Sequence, residues 1–332
     1  MDKSHRYKNF SLIGAALELG QSKSGTELAP SWLKLKGLKE SLSRKCYKLT
    51  DLGELSSSAF SREETEYRES NAKNIASLNA YSHRLADLMA DELRNDQFVF
   101  TIGGDHSCGI GTVAGALNYN PDIRIIWVDA HADINTPETS PSGNVHGMPL
   151  AFHLGLIKDQ NVRELTKWVP QLKPENIAYI GLRDVDPGEV QILKDMGIRA
   201  YTAKDVKDQG VQNILAEVRS DLDPDNQQEF HISFDVDALD PKFIPSTGTP
   251  VMEGLDLIEG QAILREFALT GRLTSLDLAE VNPLLGEEKD LELTAASTFA
   301  LIDGLPQWKD VEAPAQRPIW VSSEDISEMR SQ

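Results

Sequence analysis

The 332-residue chain reads as an α/β protein, a parallel sheet with helices packed on both faces. Apolar runs of strand length recur along it. Stretches with apolar residues at helical period lie between many of them, and several runs stop abruptly at carboxylates and imidazoles.

The strand-like runs are 11–15, 98–102, 123–128, 177–182, 230–236, 274–278 and 318–321. They are dominated by apolar residues, "IRIIWV" being the plainest, as strands covered on both faces must be. Helical period is carried by 74–93, 188–196, 211–218, 256–269 and 291–302. The length admits two average domains, but no repeat or low-complexity linker divides the alternation. One domain over 9–325 is expected, with 1–8 and 326–332 as flexible ends. The polar stretch 56–72 reads as a surface insertion.

A net charge of −19 argues against a polyanionic partner, so neither nucleic acid nor an anionic membrane surface is expected. No apolar run is long enough to span a bilayer or serve as a secretory signal, which points to a cytoplasmic protein. The two cysteines, Cys46 and Cys108, show no CxxC spacing, which excludes a disulfide framework and a cysteine metal cage.

In open α/β sheets the ligand site lies beyond the carboxyl ends of the strands, and that is where the chemistry collects. The run 98–102 leads into Gly103-Gly-Asp-His-Ser107, and 123–128 into "DAHADINT" (129–136). The run 177–182 leads into "RDVDP", 230–236 into "DVDALDP", and 274–278 into "AEVN". Polar groups at one strand end would be an ordinary turn; at five they converge on a site.

Asp129, His131 and Asp133 stand at alternate positions. Fully extended, Asp129 and Asp133 would be about 13 Å apart, whereas a carboxylate ligand reaches only about 2 Å to a metal. Either the chain curls after Asp129, or several ions are bound, or both. Asp235 and Asp237 form a second alternate pair able to face the same space, and His106 enters from the softened Gly103-Gly104 turn. Any one of these residues alone would read as a cap, a turn residue or an ion-pair member. Four carboxylates and two imidazoles together need divalent ions to neutralise them, and oxygen-rich ligation without sulfur favours Mn²⁺ over structural zinc. Two such ions could share a water and make hydroxide available near neutral pH.

"GIGTVAG" (109–115) offers a competing reading as a dinucleotide-binding glycine turn, with Asp129 placed where an acidic ribose partner belongs. Against it, Asp105-His106-Ser107 separate the glycines from the strand end. A helix whose small residues allow close packing accounts for the stretch without a ligand.

"GGDHS", "DAHADIN" and "SFDVDALDP" resemble the three metal-binding signatures of the ureohydrolases, the arginase–agmatinase–formiminoglutamase superfamily, with compatible pattern from 11 to 302. The resemblance implies a three-layer α/β/α fold around an eight-stranded parallel sheet. It also implies a dinuclear Mn²⁺ centre, with Co²⁺, Ni²⁺ or Fe²⁺ as substitutes. One ion would take His106, Asp129, Asp133 and Asp235, and the other His131, Asp129, Asp235 and Asp237.

Within that superfamily "NTPETSPSGNVHGMP" (135–149) is similar to the arginase loop that holds the amino-acid end of L-arginine. By that resemblance Asn135, Ser142 and Asn144 would bind the α-carboxylate and Asp186 the α-ammonium. Neutral donors suit the first and an acid the second. His146 matches the family's proton shuttle or general acid, Glu280 the acid that orients the guanidinium, and Thr249 a hydroxyl near the metals. The implied reaction is hydrolysis of L-arginine to L-ornithine and urea by a metal-bridging hydroxide, with Asp133 accepting its proton. Agmatinase or guanidinobutyrase activity is the alternative. Ala132 departs from the threonine common at that position, and the tail after Leu305 does not resemble the animal arginase tail that helps hold trimers. The family implies a homo-oligomer, a trimer or hexamer.

Overall fold

The computed structural model describes residues 9–60 and 70–308. Eight strands form one sheet: β1 (Asn9–Ala16), β2 (Lys48–Ser56), β3 (Phe98–Gly103), β4 (Arg124–Val128), β5 (Ile177–Leu182), β6 (Arg199–Thr202), β7 (Phe230–Asp235) and β8 (Leu273–Ala279). Their order is β2-β1-β3-β8-β7-β4-β5-β6, and every pairing is parallel. The eight-stranded α/β/α architecture is as expected.

Strand alternation divides the interior into two cores. Phe230, Ile232 and Phe234 of β7, with Phe98 and Phe100 of β3, belong to one, beside Ile214, Leu215 and Val218 of the helix Val211–Leu222. Val99, Ile125, Trp127 and Tyr179 belong to the other, which the helices Ile75–Arg94 and Gly109–Tyr119 complete. On β7 and β8 the residues between those apolar positions are polar yet fully buried: His231, Ser233, Ser275 and Asp277. His231 faces Ser275 Oγ at 2.8 Å and Asp277 at 3.1 Å, so it has a structural place and no access to the surface.

The helix Gly109–Tyr119 accounts for the glycine-rich stretch. A Cβ on Gly111 would stand 2.9 Å from Leu85 Cβ, and one on Gly115 2.8 Å from Met89 Cβ. Both glycines are needed for close approach to the helix Ile75–Arg94, which leaves the dinucleotide reading without its turn. Cys108 lies just before this helix, in the turn His106–Cys108, rather than inside it.

Two strands escape the periodicity argument. β2 has a partly exposed, mixed pattern and β6 is four residues long; both are sheet edges, where one flank stays open and apolar continuity is not required. The run 318–321, the ends 1–8 and 326–332 and much of 56–72 lie outside the described residues. Among the described residues no helix is long and apolar enough to cross a membrane.

The order of strands places the site. From β1 the chain builds toward β2 on one side and β3 on the other, then passes over a gap to begin β4; β7 and β8 fill that gap last. The carboxyl ends of β3, β8, β7 and β4 therefore lie side by side, at the switch point where open parallel sheets form ligand crevices.

Candidate metal centre

β3 ends at Gly103, and Gly104 passes so close to the residue following β1 that a Cβ there would stand 1.8 Å from Leu17 O. Asp105 then accepts from Ser107 N (3.0 Å) and starts a short turn. That turn delivers His106, fully buried, to the end of the sheet. Its ring stacks on Trp127 with centroids 4.2 Å apart, and Nε2 meets Ser233 Oγ at 3.0 Å. The orientation so fixed aims Nδ1 at Asp129 Oδ2 (3.0 Å), Asp133 Oδ2 (3.0 Å) and Asp235 Oδ2 (3.2 Å).

Of the possibilities left open for "DAHAD", the chain curls. Asp133 has φ 51°, a left-handed value that non-glycine residues adopt rarely and at a cost. Neighbouring bonds hold it there: Tyr179 Oη donates to Ala132 O (2.8 Å), Leu150 N to Asp133 O (3.1 Å) and Ile134 N to Glu189 Oε1 (3.1 Å). The curl brings Asp133 back to His106 and leaves His131 on the other side of Asp129. There His131 Nδ1 lies 3.4 Å from Asp129 Oδ1 and 3.2 Å from Asp237 Oδ2. Asp237 N donates to Asp235 Oδ1 (2.8 Å) across the turn that follows β7, and Thr249 Oγ1 donates to Asp237 Oδ2 (3.0 Å).

Two groups result, each able to hold a metal ion: His106, Asp129 and Asp133, and Asp129, His131 and Asp237. Asp129 belongs to both, one oxygen toward each. Burial drives the carboxyls of Asp133, Asp235 and Asp237 above their usual range, and Asp129's negative charge adds to it; Asp133 reaches about 7. Burial would raise Asp129 too, but the two imidazoles hold it low. His106 and His131 are raised by the same carboxylates against the effect of burial. His106 Nδ1 is buried and makes no well-formed hydrogen bond, although three carboxylates face it. An orphaned nitrogen aimed into a ring of oxygens suits a divalent ion, and the absence of sulfur keeps the set oxygen-rich.

β8 delivers Glu280, fully buried and again left-handed at φ 68°. Its N–H donates to Gly104 O (2.8 Å). Oε1 accepts from His106 N (2.8 Å) and faces His146 Nδ1 (3.0 Å), while Oε2 accepts from Gln21 Nε2 (2.7 Å). Burial would raise this carboxyl, yet His146 holds it below its usual range. In return Glu280 outweighs the burial of His146 and lifts the imidazole to about 9.

One cleft is lined by His131, Asp133, His146 and Asp235 together with all five residues expected at the substrate: Asn135, Ser142, Asn144, Asp186 and Thr249. Asn135 Nδ2 donates to Asp186 Oδ2 (2.9 Å), Asn144 N to Ser142 Oγ (3.1 Å), and Lys73 Nζ to Asn144 Oδ1 (3.1 Å). Asp186 also opens the helix Pro187–Met196 through a capping box with Glu189. Glu280 touches the cleft-lining His146 but is not itself among the lining residues.

Sequence reasoning missed Asp105, Glu189 and Gln21. Asp105 stands inside "GGDHS" and could have been read. Glu189 completes the D-x-x-E capping pattern after Asp186, and burial raises its carboxyl to about 7. Gln21 carries no signal, being a lone amide in a polar loop.

The family model described as the arginase family matches residues 8–303. The chain is 40% identical to human arginase-1 over 301 residues, covering 90% of this chain and 92% of that protein. The arginase of Bacillus caldovelox superposes with a TM-score of 0.81 at 35% identity, covering 90% of this chain and 98% of the other. Entamoeba histolytica arginase, solved in complex with L-ornithine, gives 0.80 at 33%, covering 90% and 99%. With the motifs, the fold and about nine-tenths of the chain in agreement, the chain belongs to the arginase family.

Proposed function

We propose that this protein hydrolyses the guanidinium group of L-arginine to L-ornithine and urea, with two manganese ions as its cofactor. The observation that carries the reading is the juxtaposition of two metal-competent groups sharing Asp129 with a cleft that also presents Asn135, Ser142, Asn144 and Asp186. That combination suits recognition of an α-carboxylate by amide and hydroxyl donors and of an α-ammonium by an acid.

His106, Asp129, Asp133 and Asp235 would hold one ion, and His131, Asp129, Asp235 and Asp237 the other. When bound, the ions supply charge neutralisation and a water acidic enough to lose its proton near neutral pH. The protein's own groups do the rest. Asp133, which lines the cleft, would accept and return a proton. His146, raised to about 9, keeps its proton at neutral pH and can give it to the leaving amine. Glu280 orients the guanidinium, and Thr249 steadies Asp237.

The deciding assay measures urea released from manganese-loaded protein given L-arginine, agmatine or 4-guanidinobutyrate. Urea from arginine well above the other two is expected; preference for a substrate without the α-amino acid end would overturn the assignment. A homo-oligomeric state belongs to the same proposal, resting on the family resemblance, and sedimentation velocity measures it.

A further inference from the structure

The loop after β1 contributes no candidate metal ligand and no cleft-lining side chain, yet two consecutive residues of it tie the site together. Gly20 N donates to Asp105 Oδ2 (2.7 Å), Gly20 O accepts from His146 N (3.0 Å), and Gln21 Nε2 donates to Glu280 Oε2 (2.7 Å). The last bond joins positions 259 residues apart and holds the one oxygen of Glu280 that neither His106 nor His146 faces.

We propose that Gln21 is the positioning residue that sets the orientation of the Glu280 carboxylate, with Gly248 leaving it the room to do so. The inference rests on the arginine-hydrolysing role given to Glu280 above. A carboxylate accepting from a single side can rotate about its last bond; donors on both oxygens remove that freedom. An amide suits the task because it donates without bringing a charge that would compete with a guanidinium for the acid. Room is scarce: a Cβ on Gly248 would stand 2.9 Å from Gln21 Oε1 and 3.6 Å from Glu280 Oε2. Gly248 lies in the same loop as Thr249, so the β1 loop and the Thr249 loop close on the acid together. Lys23 Nζ reinforces this closure by donating to Gly248 O.

The experiment compares wild type with Gln21→Ala, Gln21→Glu and Gly248→Ala, all manganese-loaded. It reads kcat/KM for L-arginine, the inhibition constant of L-norleucine, bound manganese, and the crystal structure of Gln21→Ala. L-norleucine has the α-amino acid end but no distal cation, so it reports the cleft without Glu280. Losing one charge-assisted hydrogen bond should lower kcat/KM about tenfold or more. Norleucine inhibition and manganese content should stay within about twofold, and the Glu280 carboxylate should rotate in the crystal. Gln21→Glu keeps the shape and removes the donor, so it should be at least as impaired. Gly248→Ala should reproduce the loss by displacing the amide. The proposal is overturned if Gln21→Glu matches wild type, because the side chain is then only a filler. It is equally overturned if norleucine binding and manganese fall in step with turnover. Should wild type release no urea from arginine, the functional assignment fails. The crystal structure then still decides the positioning claim, and an unmoved Glu280 refutes it.

Discussion

His146 Nδ1 lies 3.0 Å from Glu280 Oε1, and each residue shifts the other's proton affinity toward the charged form. At neutral pH the imidazole therefore carries a proton, as the proposed donor role requires. Replacing it with asparagine should reduce kcat by about 10²-fold or more while moving KM for arginine much less. In wild type, activity should decline above pH 9 as the raised imidazole deprotonates, and the variant should lack that decline. Urea-release rates from pH 7 to 10.5 check both.

Asp129 faces both imidazoles. Asp129→Asn removes one unit of charge from both groups, and Asp235→Asn one from the ring around His106. Each variant should bind less manganese by elemental analysis and retain under about 1% of turnover, since a single lost ligand costs metal affinity steeply. Full activity in a thoroughly chelated wild-type sample would contradict the dinuclear assignment.

Asp186 is bonded to Asn135 and caps the helix Pro187–Met196. Asp186→Ala should raise KM for arginine about tenfold or more, the scale of a lost charged contact, with a smaller change for 4-guanidinobutyrate, which has no amino group for Asp186 to meet. Capping loss of about 1 kcal/mol should appear separately as a lowered Tm. Equal kinetic effects on both substrates would show that only the cap matters.

His153 is fully buried, with Nδ1 3.1 Å from Pro170 O and Nε2 unpartnered. Burial lowers its pKa from 6.5 to about 4. Above pH 6.5 the ring is neutral in both folded and unfolded chains and contributes nothing to pH dependence. As pH falls from 6.5 to 4 the unfolded chain takes up a proton that the folded chain refuses, so stability drops by at most about 3 kcal/mol. His153→Gln should flatten urea-denaturation midpoints across that window. An unchanged slope would show that the ring titrates normally.

How legible this protein is depends on where a residue's neighbours come from. The six ligand candidates announce themselves because each sits at a strand end, and strand ends can be found from apolar continuity. The curl at Asp133 could be named only as one option, since its cause is the set of bonds from Tyr179, Leu150 and Glu189, all distant in sequence. β2 and β6 were missed because edge strands lack two-sided burial. Gln21 is the extreme case: its one decisive partner, Glu280, lies at the far end of the chain, and nothing local marks it.

The strand that separates β3 from β7 is β8, the last in sequence among the described residues. Until it arrives, His106 on one flank and Asp235 and Asp237 on the other have no common scaffold. A chain stopped short of β8 could still pair β4 with β7 and bring Asp129, His131 and Asp237 together, but it would leave His106 unanchored and would lack Glu280. The full set of candidate ligands therefore shares one sheet only once the chain has run through β8.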